Sequence, residues 1–302
     1  MKKTKSLKLS ILMLALTSCV IISCGESQFI PEKYTEEVPS GGTIEATYLK
    51  NGPYVVSSWQ CPVNEDFKSI TVYYPSEMGK SNRKYPVVVF VNGTGVVASK
   101  YAPLFEHLAS WGFIVVGNEE PESWDGDATE KSLALLLEKD NDGGSIFYKK
   151  IDRENIGVSG HSQGGAGVFN AITAHPHSGL YKAAVSLSPT HEEQAIKLKW
   201  HYDLRKIKAP ILLVAGTSGF FETKFVIPFE RMTAMYNKIP SPKVMMRRSG
   251  CEHGQMLYSA DGYVTAWFMW QLQGDNRAAQ AFTGNSPEIK ENKHYQDQRI
   301  DL

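Results

Sequence analysis

A chain of 302 residues with 42% hydrophobic and 21% charged residues can bury a full core, and this composition excludes a disordered or collagen-like protein. Its 32 basic and 32 acidic side chains leave a formal net charge of zero, so the basic field that nucleic-acid binding needs is absent. The composition favours a folded domain that binds small neutral or weakly charged ligands and has no nucleic-acid partner.

The first 23 residues have the pattern of a secretion signal. Lysines up to Lys8 precede an apolar run, Leu9 to Ser23, that is too short for a membrane-spanning helix. Cys19 and Cys24 each follow a triplet that resembles a bacterial lipoprotein processing box. We favour Cys24, because cleavage there leaves a polar mature end, and a lipid on this cysteine would anchor the chain to a membrane. A plain signal peptide with incidental cysteines is the alternative.

These features divide the chain into three parts. Residues 1–23 are the predicted lipoprotein signal peptide, residues 24–50 a polar tether, and residues 51–302 a single globular domain. The polar tail from about residue 275 predicts a helix-and-loop appendage or a partly mobile end. We therefore expect an exported protein that is lipid-anchored in the cell envelope.

Apolar, β-rich runs alternate with helix-period stretches from Gly52 onward. This alternation predicts an α/β fold with a mainly parallel central sheet of about eight strands and helices on both faces. Such sheets bind ligands at the carboxyl ends of their strands. The expected strands contain 69–74, 87–91, 113–116, 156–158, 183–187, 211–214 and 244–246. The expected helices are 99–111, 128–141, 163–174, 226–238 and 256–273.

The motif Gly160-His161-Ser162-Gln163-Gly164 lies between the strand at 156–158 and a helix-compatible segment. A serine hydroxyl can act as a nucleophile when it stands on a sharp strand-to-helix turn, and the flanking glycines permit that turn. The context predicts the α/β-hydrolase fold with Ser162 as nucleophile. A glycine-rich helix entry without a catalytic role is the alternative.

The turn after the strand at 87–91 is a candidate for part of an oxyanion hole. It reads Asn92-Gly93-Thr94-Gly95, and its glycines allow the backbone to approach a substrate closely. We expect the Thr94 and Gln163 amides to donate to the developing oxyanion. An ordinary glycine-containing turn would have the same composition.

The chain order of nucleophile, acid and histidine predicts the two partners of the serine. His253 follows the last predicted strand and is the expected general base. Glu222 is the first carboxylate after the strand at 211–214 and is the expected acid, because no aspartate occurs there. Glu192, Glu193 or a site with no acid remain alternatives.

No metal or cofactor is expected. His175 and His177 are two residues apart but have no third or fourth ligand nearby in the sequence. The chain also has neither a phosphate-binding Gly-Lys-Ser/Thr loop nor a dinucleotide fingerprint.

Several motifs in order resemble one family over roughly residues 50–270, judged by the order of the motifs alone. These segments are 52–56, 70–75, 108–116 and 151–158. They are followed by the motif at 160–164, the sharp strand-to-helix turn called the nucleophile elbow. The chain resembles the bacterial polyester hydrolases and cutinase-like esterases, including poly(ethylene terephthalate) hydrolases, of the dienelactone-hydrolase and chlorophyllase-like group. The resemblance implies the same nucleophile, base and oxyanion amides.

The chain departs from this family at three positions. Polyester hydrolases usually have an aromatic residue where Thr94 stands, a tryptophan where Thr190 stands, and an aspartate as the acid. The two missing aromatics argue against efficient hydrolysis of aromatic plastics.

The residues and the resemblance together predict a serine esterase that cleaves a small-molecule or polymeric ester through an acyl-enzyme. An acyltransferase or a peptidase could use the same side chains. A surface lipoprotein that binds glycans or peptides with a decayed site is a further alternative, because the expected aspartate is missing.

Overall fold

The computed structural model describes residues 30–63 and 67–302. The predicted signal at residues 1–23 and the lipidation candidates Cys19 and Cys24 lie outside the described residues. Within the two described ranges, no helix combines the length and the apolar character needed to cross a lipid bilayer.

Nine strands of the described chain pair into one sheet. In chain order they are β1 Val56–Pro62, β2 Ser69–Pro75, β3 Tyr85–Val91, β4 Ile114–Asn118, β5 Ile151–His161, β6 Tyr181–Leu187, β7 Ile211–Gly216, β8 Lys243–Arg248 and β9 Tyr295–Asp301. Their order across the sheet is β1-β2-β4-β3-β5-β6-β7-β8-β9. Strands β3 to β8 are parallel, β2 pairs antiparallel with β1 and β4, and β9 pairs antiparallel with β8.

Helices cover both faces of this sheet. In chain order the α-helices are α1 Tyr34–Glu37, α2 Thr43–Leu49, α3 Ala102–Ser110, α4 Asp127–Asn141, α5 Gln163–Ala171, α6 Glu192–Leu198, α7 Phe229–Lys238, α8 Asp261–Gln273, α9 Asn276–Ala279 and α10 Glu288–Glu291. All five helices predicted from the sequence are present, each with at least one shifted end. Most of the six parallel strands extend beyond the apolar runs that predicted them.

Strand β3 shows how the core is built. Val88 and Phe90 pack in the core layer of α3 and α8, whereas Val87 and Val89 pack in the layer of α4, α5 and α7. Successive side chains of a strand point to opposite faces, so a strand covered on both faces is apolar throughout. The predicted α/β architecture with helices on both faces is confirmed.

The segment from residue 30 to residue 50, predicted as part of a tether, instead packs against the domain. Tyr34 of α1 is buried and its hydroxyl donates to Asp261 Oδ2 at 2.6 Å. Tyr48 of α2 is also buried and donates to Asp275 Oδ2 at 2.6 Å. A few apolar and aromatic side chains spaced along a polar stretch are enough to dock it, and average composition hides them. The tether prediction is wrong for residues 30–50, and the folded unit begins before residue 51.

The polar tail also belongs to the fold. It forms the short helices α9 and α10, as a helix-and-loop appendage would, but it ends in β9, which the sequence did not predict. An edge strand makes its backbone ladder with one neighbour and keeps polar side chains toward solvent, so β9 lacks an apolar run. The sheet formed by the described residues has nine strands in place of about eight, and β1, like β9, was not among the expected strands.

Candidate active site

Strand β5 ends in the predicted elbow, with Ser162 between β5 and α5. Its backbone has φ 60° and ψ −119°, a conformation that residues other than glycine seldom adopt. The neighbouring glycines are required for space. A Cβ at Gly160 would overlap the backbone of Gly164, and a Cβ at Gly164 would overlap the carbonyl oxygens of Val91 and Asn92. The strand, sharp turn and helix that the motif predicts are all present.

The expected nucleophile and base are in hydrogen-bond contact. Ser162 Oγ lies 2.9 Å from His253 Nε2, a distance that suits an O–H donating to an unprotonated imidazole nitrogen. His253 follows β8, and both side chains are buried. The contact joins the carboxyl ends of two strands that are separated in the sheet by β6 and β7.

Glu222 is the carboxylate that lies against the imidazole. Its Oε2 accepts from His253 Nδ1 at 2.6 Å, and its side chain is fully buried. It belongs to a short π-helix, Phe221–Val226, that follows β7. The long glutamate side chain reaches back to the end of β7, where Oε1 accepts from the Gly216 N–H at 2.6 Å.

The alternative acids are engaged elsewhere. Glu192 and Glu193 lie in the first turn of α6. Glu192 Oε2 accepts from Lys238 Nζ at 2.7 Å, and Glu193 forms an ion pair with Arg231. Both pairs connect α6 with α7, away from the imidazole.

Ser188 also contacts the group formed by Ser162, His253 and Glu222, and the sequence did not single it out. It follows β6 directly, is fully buried, and donates from Oγ to Glu222 Oε1 at 2.6 Å. The available signal was its position at the carboxyl end of a parallel strand, the edge where ligands of such sheets bind. Its hydroxyl and the Gly216 amide share one oxygen of the carboxylate, so the other oxygen faces His253.

Two aromatic side chains surround the imidazole of His253. The His161 ring lies 4.5 Å from it between centroids, and the Phe221 ring lies edge-on at 5.0 Å. His161 Nε2 donates to the His253 carbonyl at 2.9 Å. Burial, together with the charge of His253, holds the pKa of His161 well below its usual range. His161 is therefore neutral where it packs beside the imidazole of His253.

The two amides expected to form an oxyanion hole follow neighbouring strands. Gln163 opens α5 after β5, and Thr94 lies half-buried in the turn after β3. The turn is held on one side by the Gly93 N–H, which donates to the Tyr101 hydroxyl at 3.0 Å. The Gln163 side chain accepts from the Ser123 N–H at 2.8 Å, which fixes the start of the helix. The first amides of a helix have no carbonyl partner within it, so they can donate to an oxyanion.

The paired histidines have other partners. His177 Nδ1 lies 2.6 Å from Glu130 Oε1, and His175 Nε2 lies 2.7 Å from the Asp125 carbonyl. In the part of the chain that the structure describes, no group of three or more His, Cys, Asp or Glu side chains is arranged to hold a metal ion.

A buried serine, imidazole and carboxylate in series at the carboxyl edge of a parallel sheet are typical of serine hydrolases with the α/β-hydrolase fold. Comparisons with known proteins lead to the same class. Residues 35–299 match the family model PETase, described as PET hydrolase-like.

Curated relatives are also similar. Cutinase est2 of Thermobifida alba is 28% identical over 251 residues, 80% of this chain and 76% of that protein. Cutinase 1 of Thermobifida cellulosilytica is 32% identical over 223 residues, 71% of this chain and 76% of that protein. The bis(hydroxyethyl) terephthalate hydrolase of Streptomyces coelicolor is 32% identical over 186 residues, 60% and 54% of the two chains.

The chain belongs to the PET hydrolase-like family. It is a carboxylic ester hydrolase of the α/β-hydrolase fold, and the resemblance to bacterial polyester hydrolases is confirmed.

Proposed function

We propose that Ser162 cleaves a carboxylic ester through an acyl-enzyme, with His253 as general base and Glu222 as the acid that orients the imidazole. The continuous hydrogen-bonded series carries this proposal: 2.9 Å from Ser162 Oγ to His253 Nε2, and 2.6 Å from His253 Nδ1 to Glu222 Oε2. A serine hydroxyl needs a base in contact to become nucleophilic, and the base needs a fixed tautomer. The first contact supports His253 as the base, and the second supports Glu222 as the group that fixes its tautomer.

The reaction proceeds through two rounds of proton transfer involving His253. Ser162 Oγ attacks the acyl carbon while its proton moves to His253 Nε2, and the Glu222 carboxylate stabilises the resulting imidazolium. The Thr94 and Gln163 amides donate to the oxyanion. The ester C–O bond then breaks and His253 protonates the leaving alcohol. Water, deprotonated by His253, attacks the acyl-enzyme, and the acid leaves as Ser162 regains its proton.

We propose a small-molecule or polymeric ester as the substrate. The names of the relatives, cutinases and a terephthalate ester hydrolase, support the ester and leave the acyl group open. Thr94 and Thr190 stand where polyester hydrolases usually have aromatic residues. Thr190 is buried, and its carbonyl accepts from the Tyr202 hydroxyl at 2.8 Å. A site without these two rings favours esters other than aromatic plastics.

We further propose that the protein is exported and anchored through a lipid on Cys24. The lysine-led apolar run and the processing triplet before Cys24 support this. Membrane fractionation of the full chain tests it: we expect Cys24→Ser to move the protein out of the membrane fraction, and Cys19→Ser to leave it there. The opposite result would assign processing to Cys19, and a soluble wild type would exclude an anchor.

The deciding experiment for the nucleophile is labelling with a fluorophosphonate, which reacts with activated serines. We expect the purified protein to be labelled and Ser162→Ala to lose the label. Ser218→Ala is the matched control, because Ser218 lies in the loop between β7 and Glu222 and is half-buried. An unlabelled wild type would contradict the proposal and favour a binding lipoprotein with a decayed site.

Product analysis separates hydrolysis from the related reactions of the same side chains. With an ester substrate and an excess of an alcohol or amine, a hydrolase releases the free acid. A dominant new ester or amide would identify an acyltransferase, and faster cleavage of a matched peptide bond would identify a peptidase.

A further inference from the structure

Ser188 has an unusual backbone for a buried serine. Its φ is 42°, within the left-handed region, and its side chain is fully buried. Its N–H donates to the Val214 carbonyl at 2.7 Å, so its backbone is fixed by the neighbouring strand β7. This backbone hydrogen bond anchors the residue just beyond the end of β6.

Glycine would adopt this backbone conformation without steric cost, whereas a residue with a Cβ adopts it under strain. Strained residues persist where the surrounding structure holds them, and they cluster at functional sites. The feature that serine has and glycine lacks is the hydroxyl. In Ser188 that hydroxyl donates to Glu222 Oε1 at 2.6 Å.

The hydroxyl supplies a second donor to Oε1 of the carboxylate. The Gly216 N–H donates to the same oxygen at 2.6 Å, and Oε2 receives the His253 Nδ1 proton. With one donor on Oε1, the carboxylate plane could turn about that contact; with two donors in different directions, the plane is set. Glutamate has one more rotatable bond than aspartate, so an acid of this length needs the additional restraint.

We propose that Ser188 is a positioning residue for the reaction: it orients the Glu222 carboxylate so that Oε2 faces the imidazole. This inference rests on the proposed function, because it assigns Glu222 as the acid. Ser188 acts through Glu222, the carboxylate to which its hydroxyl donates.

The first test is the kinetics of Ser188→Ala with p-nitrophenyl butyrate as the ester. The lost hydrogen bond is to a charged group, so we expect kcat to fall about tenfold to hundredfold with KM unchanged. Ser186→Ala is the matched control. Ser186 lies on the same strand, is fully buried, and donates from Oγ to the Gly165 carbonyl at 2.8 Å. That variant loses a similar hydrogen bond without touching the carboxylate, and its kcat should stay within about twofold of wild type.

The second test is a double-mutant cycle with Glu222→Ala. If the hydroxyl acts through the carboxylate, Ser188→Ala causes no further loss of kcat once the carboxylate is gone. Thermal unfolding of each variant separates catalysis from folding, because a merely structural role would lower Tm and leave kcat per folded molecule unchanged.

Two results would overturn the inference: an unchanged kcat in folded Ser188→Ala, or an equal loss of kcat in the Glu222→Ala background. Failure of the proposed function is recognised separately. A wild-type protein that neither reacts with the fluorophosphonate nor hydrolyses the ester would contradict both claims, whereas an active wild type with an insensitive Ser188→Ala contradicts the role of Ser188 alone.

Discussion

Two buried polar clusters differ in how they are assembled. The proposed catalytic cluster consists of Ser162, Ser188, Glu222 and His253, which are joined by hydrogen bonds. The terminal cluster is centred on Glu45 of α2, whose carboxylate accepts from three side chains near the other end of the chain. These donors are Arg248 Nη1 at 2.8 Å, Tyr295 Oη at 2.8 Å and Asn292 Nδ2 at 2.7 Å.

The two clusters differ in how the order of the chain brings their members together. Each member of the catalytic cluster follows one of the parallel strands β5 to β8, so it arrives at one sheet edge by the regular alternation of strand and helix. The terminal cluster joins Glu45 to Tyr295, 250 residues apart, and no repeating unit relates them. We expect substitutions in the first cluster to change kcat and substitutions in the second to change the free energy of unfolding.

The largest effect is expected for the nucleophile. Ser162→Ala should lower kcat by about a millionfold, the order found when an active serine is removed. The free energy of unfolding should change little, because the replaced atom is one hydroxyl at a strained turn. Ester hydrolysis and urea unfolding of the same preparations measure both quantities. Residual activity within about tenfold of wild type would place the nucleophile elsewhere.

The acid is expected to matter less than the nucleophile. Glu222→Gln keeps the shape but presents an uncharged amide to His253 Nδ1, which favours the wrong tautomer, so kcat should fall about ten-thousandfold. Glu222→Asp keeps the charge but is one methylene shorter, and it cannot contact both Gly216 and His253 from the same backbone position. A Glu222→Asp protein as active as wild type would show that the longer side chain is not required.

The parallel part of the fold could be predicted, and most members of the proposed catalytic cluster could be named, because their signals are local. Strands buried on both faces are continuous apolar runs, and the nucleophile elbow can be recognised from its glycines. Glu222 was predicted from chain order even though the usual aspartate is missing. Ser188 was not, because a single serine after a strand has no distinguishing pattern.

The terminal segments could not be predicted for a different physical reason. Helices α1 and α2 dock through isolated side chains such as Tyr34 and Tyr48, and β9 is a polar edge strand. The two helices are held by partners more than 200 residues away in sequence, including Asp261 for Tyr34, and β9 is held by its backbone ladder with β8. Local composition therefore indicated a tether and an appendage where the structure has docked elements.

The terminal cluster should be sensitive to loss of one charge. Arg248→Met removes the cation beside Glu45, and an uncompensated buried carboxylate costs about 3–5 kcal/mol of unfolding free energy. Urea unfolding measures the loss. Activity per folded molecule should be retained, in contrast to the variants of the catalytic cluster.

A second substitution tests whether the unpaired charge is the cause. Adding Glu45→Gln to Arg248→Met removes the remaining charge and should recover part of the lost stability. If the double variant is less stable than Arg248→Met alone, then packing and not charge explains the effect.

The smallest effect on the free energy of unfolding is expected at the other end of the β8–β9 ladder. Arg248 lies opposite Tyr295 in the β8–β9 ladder, and Lys243 lies opposite Asp301. Lys243 Nζ contacts Asp301 Oδ2 at 2.7 Å, but the Asp301 side chain is 67% exposed. Water solvates this carboxylate in the folded and the unfolded chain, so Asp301→Asn should cost less than about 1 kcal/mol.

Arg248–Glu45 and Lys243–Asp301 both involve a basic residue of β8, but only the first pair is buried. Comparing Asp301→Asn with Arg248→Met therefore tests the effect of burial. The Lys243 side chain also keeps its contact with the Tyr236 ring, 5.1 Å from the centroid, when Asp301 is replaced. Urea unfolding at low and high salt provides the measurement, and the small cost should shrink further as salt screens the exposed pair. A loss as large as that of Arg248→Met would mean that an exposed ion pair of β8 stabilises the fold as much as a buried one, and that the burial of Glu45 is not what distinguishes the terminal cluster.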